Sequence, residues 1–222
     1  MTRNKTYFTV NGRKSMTTIL TEKTTTGELT FEFSDKWQVC KYDEQSFYSE
    51  IKYQGFKGED FIALSSNGLL LMEVKYVVAT NESSTLRFTV DADNDKVQEI
   101  KAQLSPEQNN AVIIKSIRPY LIDEVTQKVR DTVLGLFACY RKEEIVLSSY
   151  AQSLFSRNNQ PILVLLFLER NPELNQAENF KPLASKLKLA IEQKLSFLGN
   201  IQVAVVNTLT LPSDLGIKVS SP

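Results

Sequence analysis

Histidine is absent from all 222 residues, and cysteine occurs only twice, as Cys40 and Cys139. The first absence removes the usual general base near neutral pH and so excludes catalysis by Ser-His-Asp or Cys-His groupings. Together the two absences argue against a structural zinc site, and a chain of this length buries a core without disulfide staples. Long apolar runs are missing as well. No stretch approaches a membrane span, and the opening Met1-Thr2-Arg3-Asn4-Lys5-Thr6 is not followed by an apolar core of signal-peptide length. The expectation is a soluble, reducing, cytoplasmic protein with no membrane partner. Glycine-rich phosphate loops of the P-loop or dinucleotide type are lacking, which leaves nucleotide-driven chemistry without local support. Neither sign of charge is in excess, with 26 Lys and Arg against 26 Asp and Glu, so the molecule as a whole exerts no general pull on phosphate. Catalysis in such a chain must rest on carboxylates, lysines, hydroxyls or a hard metal ion.

What is present has a clear order. Thr6 to Phe33 is rich in threonine, β-branched and aromatic residues, with Asn11-Gly12 and Thr26-Gly27 as turn signals, and predicts two or three antiparallel strands. Phe47, Tyr48 and Ile51 then recur near helical spacing, with Asp43 or Ser46 as the expected cap and a stop before Gly55. Asp60 to Leu64, a Ser65-Ser-Asn-Gly68 turn and Leu69 to Lys75 read as an antiparallel hairpin. Roughly Asn81 to Asn110 is polar and acidic and is expected to carry one strand and one short helix. A helix is predicted from about Asp123 to Tyr140, with Val125, Val129, Val133, Leu136, Phe137 and Tyr140 on one stripe and Lys128, Arg130 and Asp131 on its polar face. The unbroken apolar run Ile162 to Leu168 suits a strand covered on both faces. A helix from Phe180 to Leu198, stopped at Gly199, and a strand from Ile201 to Val206 complete the pattern. This succession predicts an α/β fold, a mixed central β-sheet flanked by helices on both faces. Residues 1–36 form an N-terminal β extension packed on the core, and residues 37–222 form the main domain, with an insertion at about 80–118.

The sequence Glu-x-Lys occurs four times, at Glu50/Lys52, Glu73/Lys75, Glu99/Lys101 and Glu192/Lys194. On a helix this spacing points the two side chains to different faces, which sets aside the first and last pairs. Glu99/Lys101 lies in the acidic insertion. Glu73 and Lys75 fall on a predicted strand, whose period of two projects both from one face beside Leu69 and Leu71. Charges that interrupt a strand this apolar are costly unless they meet a partner or a metal. Asp60, on the paired strand, supplies a second carboxylate, and two carboxylates on adjacent strands can share a magnesium ion with waters and a substrate phosphate. Lys75 beside them can orient a water or neutralise charge in the transition state. Against this stands a plainer reading, in which Asp60 ends a turn and Glu73 and Lys75 form an exposed ion pair on a sheet edge. The acidic run Asp91-Ala-Asp93-Asn-Asp95 is no calcium loop, since Lys96 stands where glycine is required and Ala102 where glutamate is.

The segments Lys41-Tyr-Asp43, Phe47-Tyr48, Lys57-Gly-Glu-Asp60-Phe-Ile-Ala-Leu64 and Leu71-Met-Glu-Val-Lys75 together resemble the PD-(D/E)XK nuclease superfamily. More closely they are similar to a bacterial branch in which a helix like Asp123-Glu-Val-Thr-Gln-Lys-Val-Arg-Asp131 follows. The resemblance implies a restriction-endonuclease-like fold and hydrolysis of phosphodiester bonds dependent on Mg2+, with Mn2+ as a substitute. The substrate would be nucleic acid, DNA ahead of RNA. Asp60 and Glu73 would be the metal ligands and Lys75 the catalytic lysine. Glu50 is either a third metal-site acid or a solvated helix residue. Lys57, Lys128 and Arg130 are either phosphate-binding or simply solvated, and Asp43 is a helix cap first and a site residue second. The pattern departs from the superfamily where Glu59 replaces the proline expected before the first acid, and in the length of the insertion. A nuclease-fold scaffold or binding module that does not cleave is the alternative. A homodimer or an accessory protein is compatible with both.

Overall fold

The computed structural model describes residues 5–10, 13–24, 26–77, 95–111, 120–155 and 160–220. Its strands fall into two sheets. Strands β1 (Lys5–Val10), β2 (Arg13–Thr24) and β3 (Gly27–Phe33) form an antiparallel meander, as the threonine-rich N-terminal region predicts. The central sheet has five strands: β4 (Gln38–Lys41), β5 (Phe61–Ser65), β6 (Gly68–Val77), β7 (Ile162–Arg170) and β8 (Ile201–Val206), paired in that order. The β4–β5 and β5–β6 pairs are antiparallel, whereas β6–β7 and β7–β8 are parallel, so the sheet is mixed. A last strand, β9 (Ile217–Ser220), returns to the first sheet and pairs antiparallel with β3, from Phe33↔Ile217 to Thr30↔Ser220. Beside this seam the only tryptophan, Trp37, is buried and donates its indole N–H to the Leu215 carbonyl at 2.8 Å.

The helices are α1 (Ser46–Lys52), α2 (Asp95–Ala102), α3 (Pro106–Ala111), α4 (Leu121–Arg141), α5 (Ser148–Ser153), α6 (Pro172–Asn175) and α7 (Ala177–Leu195). None of them is long and apolar enough to cross a membrane. Helices α2 and α3 lie in the predicted insertion. The strand expected there falls outside the described residues, as do the Asn11-Gly12 turn and residues 91–94 of the acidic run.

Strand alternation sends side chains of the central sheet into two separate apolar clusters. Leu69, Leu71, Val164, Leu166 and Leu168 pack under α1, α4, α5 and α7. Leu70, Met72, Leu165 and Phe167 pack instead against Leu29, Phe31 and Phe33 of β3 and Ile217 of β9. The α/β class and the mixed sheet are as the sequence predicts, but helices cover only one face among the described residues. The other face is closed by the antiparallel sheet, because β3 alternates half-buried and buried positions and offers a complete apolar row of its own.

Two local expectations are corrected. Neither Asp43 nor Ser46 caps α1; its N-cap is Gln45, with no side-chain capping bond. On α4, Phe137 and Tyr140 are exposed, and Thr132, Gly135 and Cys139 take the buried stripe beside Val125, Val129 and Leu136. Gly135 explains the rotation. A Cβ there would sit 2.2 Å from the Tyr42 hydroxyl, so only glycine lets the helix approach the loop between β4 and α1 this closely.

Candidate active site

The hairpin register builds the site. Phe61 pairs with Met72, and one further step of the same register sets Asp60 opposite Glu73. Asp60 lies just before β5, where the ladder has ended, and its Oδ2 accepts the Val74 N–H at 2.7 Å in place of a backbone carbonyl. Its own carbonyl accepts the Tyr42 N–H at 3.1 Å. The Asp60 carboxylate is thereby tied to β6 beside Glu73. Gly58 makes the approach to this position possible, since a Cβ there would lie 2.8 Å from the Tyr48 ring and 2.9 Å from the Tyr42 ring.

Glu73 and Lys75 project together, as the strand period requires, and the Lys75 ammonium lies 2.5 Å from Glu73 Oε1. Helix α4 crosses this face and adds Glu124 and Lys128, one turn apart. Glu124 Oε1 stands 2.8 Å from the Lys75 ammonium. The Lys128 ammonium donates to both Glu73 oxygens, at 2.7 and 2.6 Å, and reaches Asp60 Oδ1 at 3.2 Å. Glu73 forms the floor, with 1% of its side chain exposed, while the Asp60, Glu124, Lys128 and Lys75 side chains are 11 to 17% exposed and make a rim open to solvent.

Beneath the rim lies Glu59, fully buried, its backbone N–H held by the Thr132 hydroxyl at 3.0 Å and neither carboxyl oxygen partnered. Burial, and then the proximity of Glu73, push its pKa well above the ordinary carboxylate range. Burial, followed by the charge of Asp60, raises Glu73 to about 7 against the pull of Lys128 and Lys75. Burial opposes the charge on Lys128 too, but Glu73, Asp60 and Glu59 outweigh it and hold the ammonium on far above neutrality. Lys75 is likewise held charged by Glu73 and Glu124 against burial and the repulsion of Lys128. The two sides of the cluster respond unequally because each ammonium gains from several carboxyl groups, whereas Glu73 carries both desolvation and carboxylate repulsion. When the cluster takes a proton, a carboxyl group takes it. Carboxyl groups outnumber ammoniums here, Glu59, Asp60, Glu73 and Glu124 against Lys75 and Lys128.

The margin is also acidic. Lys41 pairs with Glu22 of β2 at 2.9 Å and Glu44 at 2.8 Å, so the second sheet reaches the edge of the site. Asp43 leaves Oδ1 without a partner, and burial and then Asp60 raise its pKa.

Of the residues singled out in the sequence, Asp60, Glu73 and Lys75 converge, and Lys128 joins them as an ion-pair partner rather than on a solvated helix face. Asp43 stands within electrostatic reach of Asp60. Glu50 does not join: it is exposed on α1, 3.7 Å from Lys142. Arg130 points away, exposed, with its Nε on the Thr126 carbonyl. Lys57 is held through its backbone N–H, which donates to Asp131 Oδ2 at 3.0 Å. Glu124 and the burial of Glu59 were missed. A signal for Glu124 existed, because Glu124 and Lys128 each precede a core valine by one residue and therefore flank the buried stripe of α4.

Among the described residues, no three carboxylate or thiol side chains form a ready-made cage for a metal ion. Asp60 and Glu73 nevertheless supply two oxygen ligands of the kind magnesium accepts while keeping several waters. The orphaned Glu59 carboxyl group beside them adds a buried donor in want of a partner. The donor set fits a hard cation, and the position between its members is the one the Lys128 ammonium takes. The chain matches no protein family, no curated protein and no solved structure with which it was compared.

Proposed function

We propose that this chain is a metal-dependent nuclease hydrolysing phosphodiester bonds, with DNA preferred to RNA. The observation that supports the reading most is the meeting of Asp60, Glu73 and Lys75 on one face of the β5–β6 hairpin, beside a surplus of carboxyl groups. Asp60 and Glu73 would hold the Mg2+ ion, with Mn2+ as a substitute. Such an ion, when bound, supplies charge to a phosphoryl oxygen and acidity to a bound water. The chain's own residues do the rest. Asp60, fixed by the Val74 N–H, keeps its carboxylate aimed at the same point as Glu73. Lys75, gripped between Glu73 and Glu124, presents a cation at the rim, where it can orient a water or meet charge growing on the phosphate. A part-buried rim around a buried floor strengthens each of these charges relative to bulk water.

The experiment is incubation of plasmid, single-stranded DNA and structured RNA with the protein and Mg2+, beside Lys75→Ala and an EDTA control. Cleavage of DNA that disappears in Lys75→Ala and with EDTA is expected. No cleavage of any substrate, or equal cleavage by Lys75→Ala, overturns the reading. A second reading, a non-cleaving scaffold, draws on the Lys128 ammonium, which gives Asp60 and Glu73 a partner without any metal.

A further inference from the structure

The mechanism above has no use for Lys128, yet this side chain reaches more carboxylate oxygens than Lys75 does. Its ammonium lies within 3.2 Å of three carboxylate oxygens on two residues, the arrangement expected of a bound cation. A hard metal ion coordinated by Asp60 and Glu73 needs that same space, and two cations cannot share it at contact distance. Beneath lies the fully buried Glu59 carboxyl group with neither oxygen partnered, evidence independent of the ion pairs that the pocket holds oxygen ligands neither lysine reaches.

We propose that Lys128 is a tethered counter-ion that fills the metal position, so that a divalent ion binds only as the Lys128 ammonium swings out. This rests on the reading of Asp60 and Glu73 as metal ligands and adds a form of control to it. The side chain is built for the exchange. It stands on the first half of α4, anchored by Val125 and Val129 in the core, so only its flexible four-carbon stem has to move. At 16% exposure it already sits at the rim and has a route to water. Once expelled it lies close to the carboxylates, where a phosphate of a bound nucleic acid offers it a new partner. In its closed position it prevents the two carboxylates from facing each other unneutralised and keeps the site assembled while no metal is bound.

The test is Mn2+ binding, read by the loss of the free-ion electron paramagnetic resonance signal, for the wild-type chain, Lys128→Met, Lys128→Gln and Lys128→Met/Glu73→Gln. Removing the competing charge is expected to tighten Mn2+ binding at least about tenfold in Lys128→Met or Lys128→Gln. The Glu73→Gln change should cancel that gain. If the wild-type chain binds Mn2+ and the folded Lys128 variants bind it equally or more weakly, the counter-ion role is wrong while the metal reading stands. If neither the wild-type chain nor any folded Lys128 variant binds Mn2+, both fall and the scaffold reading replaces them. Should the Lys128 variants unfold in EDTA, circular dichroism decides: recovery of the folded signal on adding Mn2+ supports the exchange, and failure to recover overturns it.

Discussion

Replacing Lys128 with methionine keeps the length of the stem and removes the charge, and the consequence for stability follows from the contacts that charge makes. At 2.7 Å from Glu73 Oε1, one ion pair carries about 6 kcal/mol of attraction at an effective dielectric constant of about 20. Desolvation offsets much of this. Removing one member of a buried ionic group nevertheless typically costs about 3–5 kcal/mol, because the remaining charges are left without compensation. Here the remaining charges are Asp60 and Glu73, set opposite each other with Lys75 alone to neutralise them. Urea unfolding in EDTA at pH 8, followed by Trp37 fluorescence and far-ultraviolet circular dichroism, should show Lys128→Met destabilised by that amount. With a slope of roughly 2 kcal/mol/M, the midpoint drops by about 2 M. The deficit should shrink toward pH 5, where a proton on Glu73 does part of what the ammonium did. A deficit below about 1 kcal/mol at pH 8, or one that is unchanged at pH 5, would refute the argument that Lys128 balances these carboxylates.

The wild-type chain should itself lose stability as pH rises. Glu73 and Glu59 have folded-state pKa values above their unfolded ones, so the folded chain binds more protons; the Glu73 contribution is complete below about pH 4.5 and is lost as pH rises through about 7, and that of Glu59 has the same sign. For Glu73 the span from 4.5 to about 7 corresponds to about 3 kcal/mol. Urea midpoints between pH 5 and 8 in EDTA test it: the decline should flatten in Glu73→Gln, and a midpoint that rises across this window in the wild-type chain contradicts it. Gly135→Ala should destabilise by about 1–3 kcal/mol although alanine favours helix, because its methyl carbon would lie 2.2 Å from the Tyr42 hydroxyl. Thermal melting of Gly135→Ala alone and combined with Tyr42→Phe measures this, and an unchanged melting temperature for the single variant counts against the close approach.

The hairpin was legible because every local signal agreed: an apolar run, a Ser-Asn-Gly turn and a charged pair at strand spacing. The same spacing made Glu73 and Lys75 face one way, and the register brought Asp60 to them. The helices over the central sheet were legible by their stripes, within a few residues at each end. What covers the other face was not, since alternation in β3 announces an apolar row without naming what it packs against. Lys128 was read as phosphate-binding or solvated because a helical lysine is usually one or the other; its place beside Val129, at the edge of the buried stripe, turns it toward Glu73. Glu59 was taken for a mere departure from a proline. Its backbone N–H meets the Thr132 hydroxyl, a contact between residues 73 positions apart that no local pattern reports.

The pairing of β3 with β9 has a consequence in time. Thr30 and Ser220 are register partners across 190 intervening steps of chain, 220 less 30. Phe31 and Phe33 therefore emerge in synthesis long before their neighbour Ile217. Until then the row they form stays partly open, an edge on which growing chains can stick to one another. Closing so long a loop is also slow. The indole of Trp37, bonded to Leu215 at that seam, should change its emission at the moment the last strand docks.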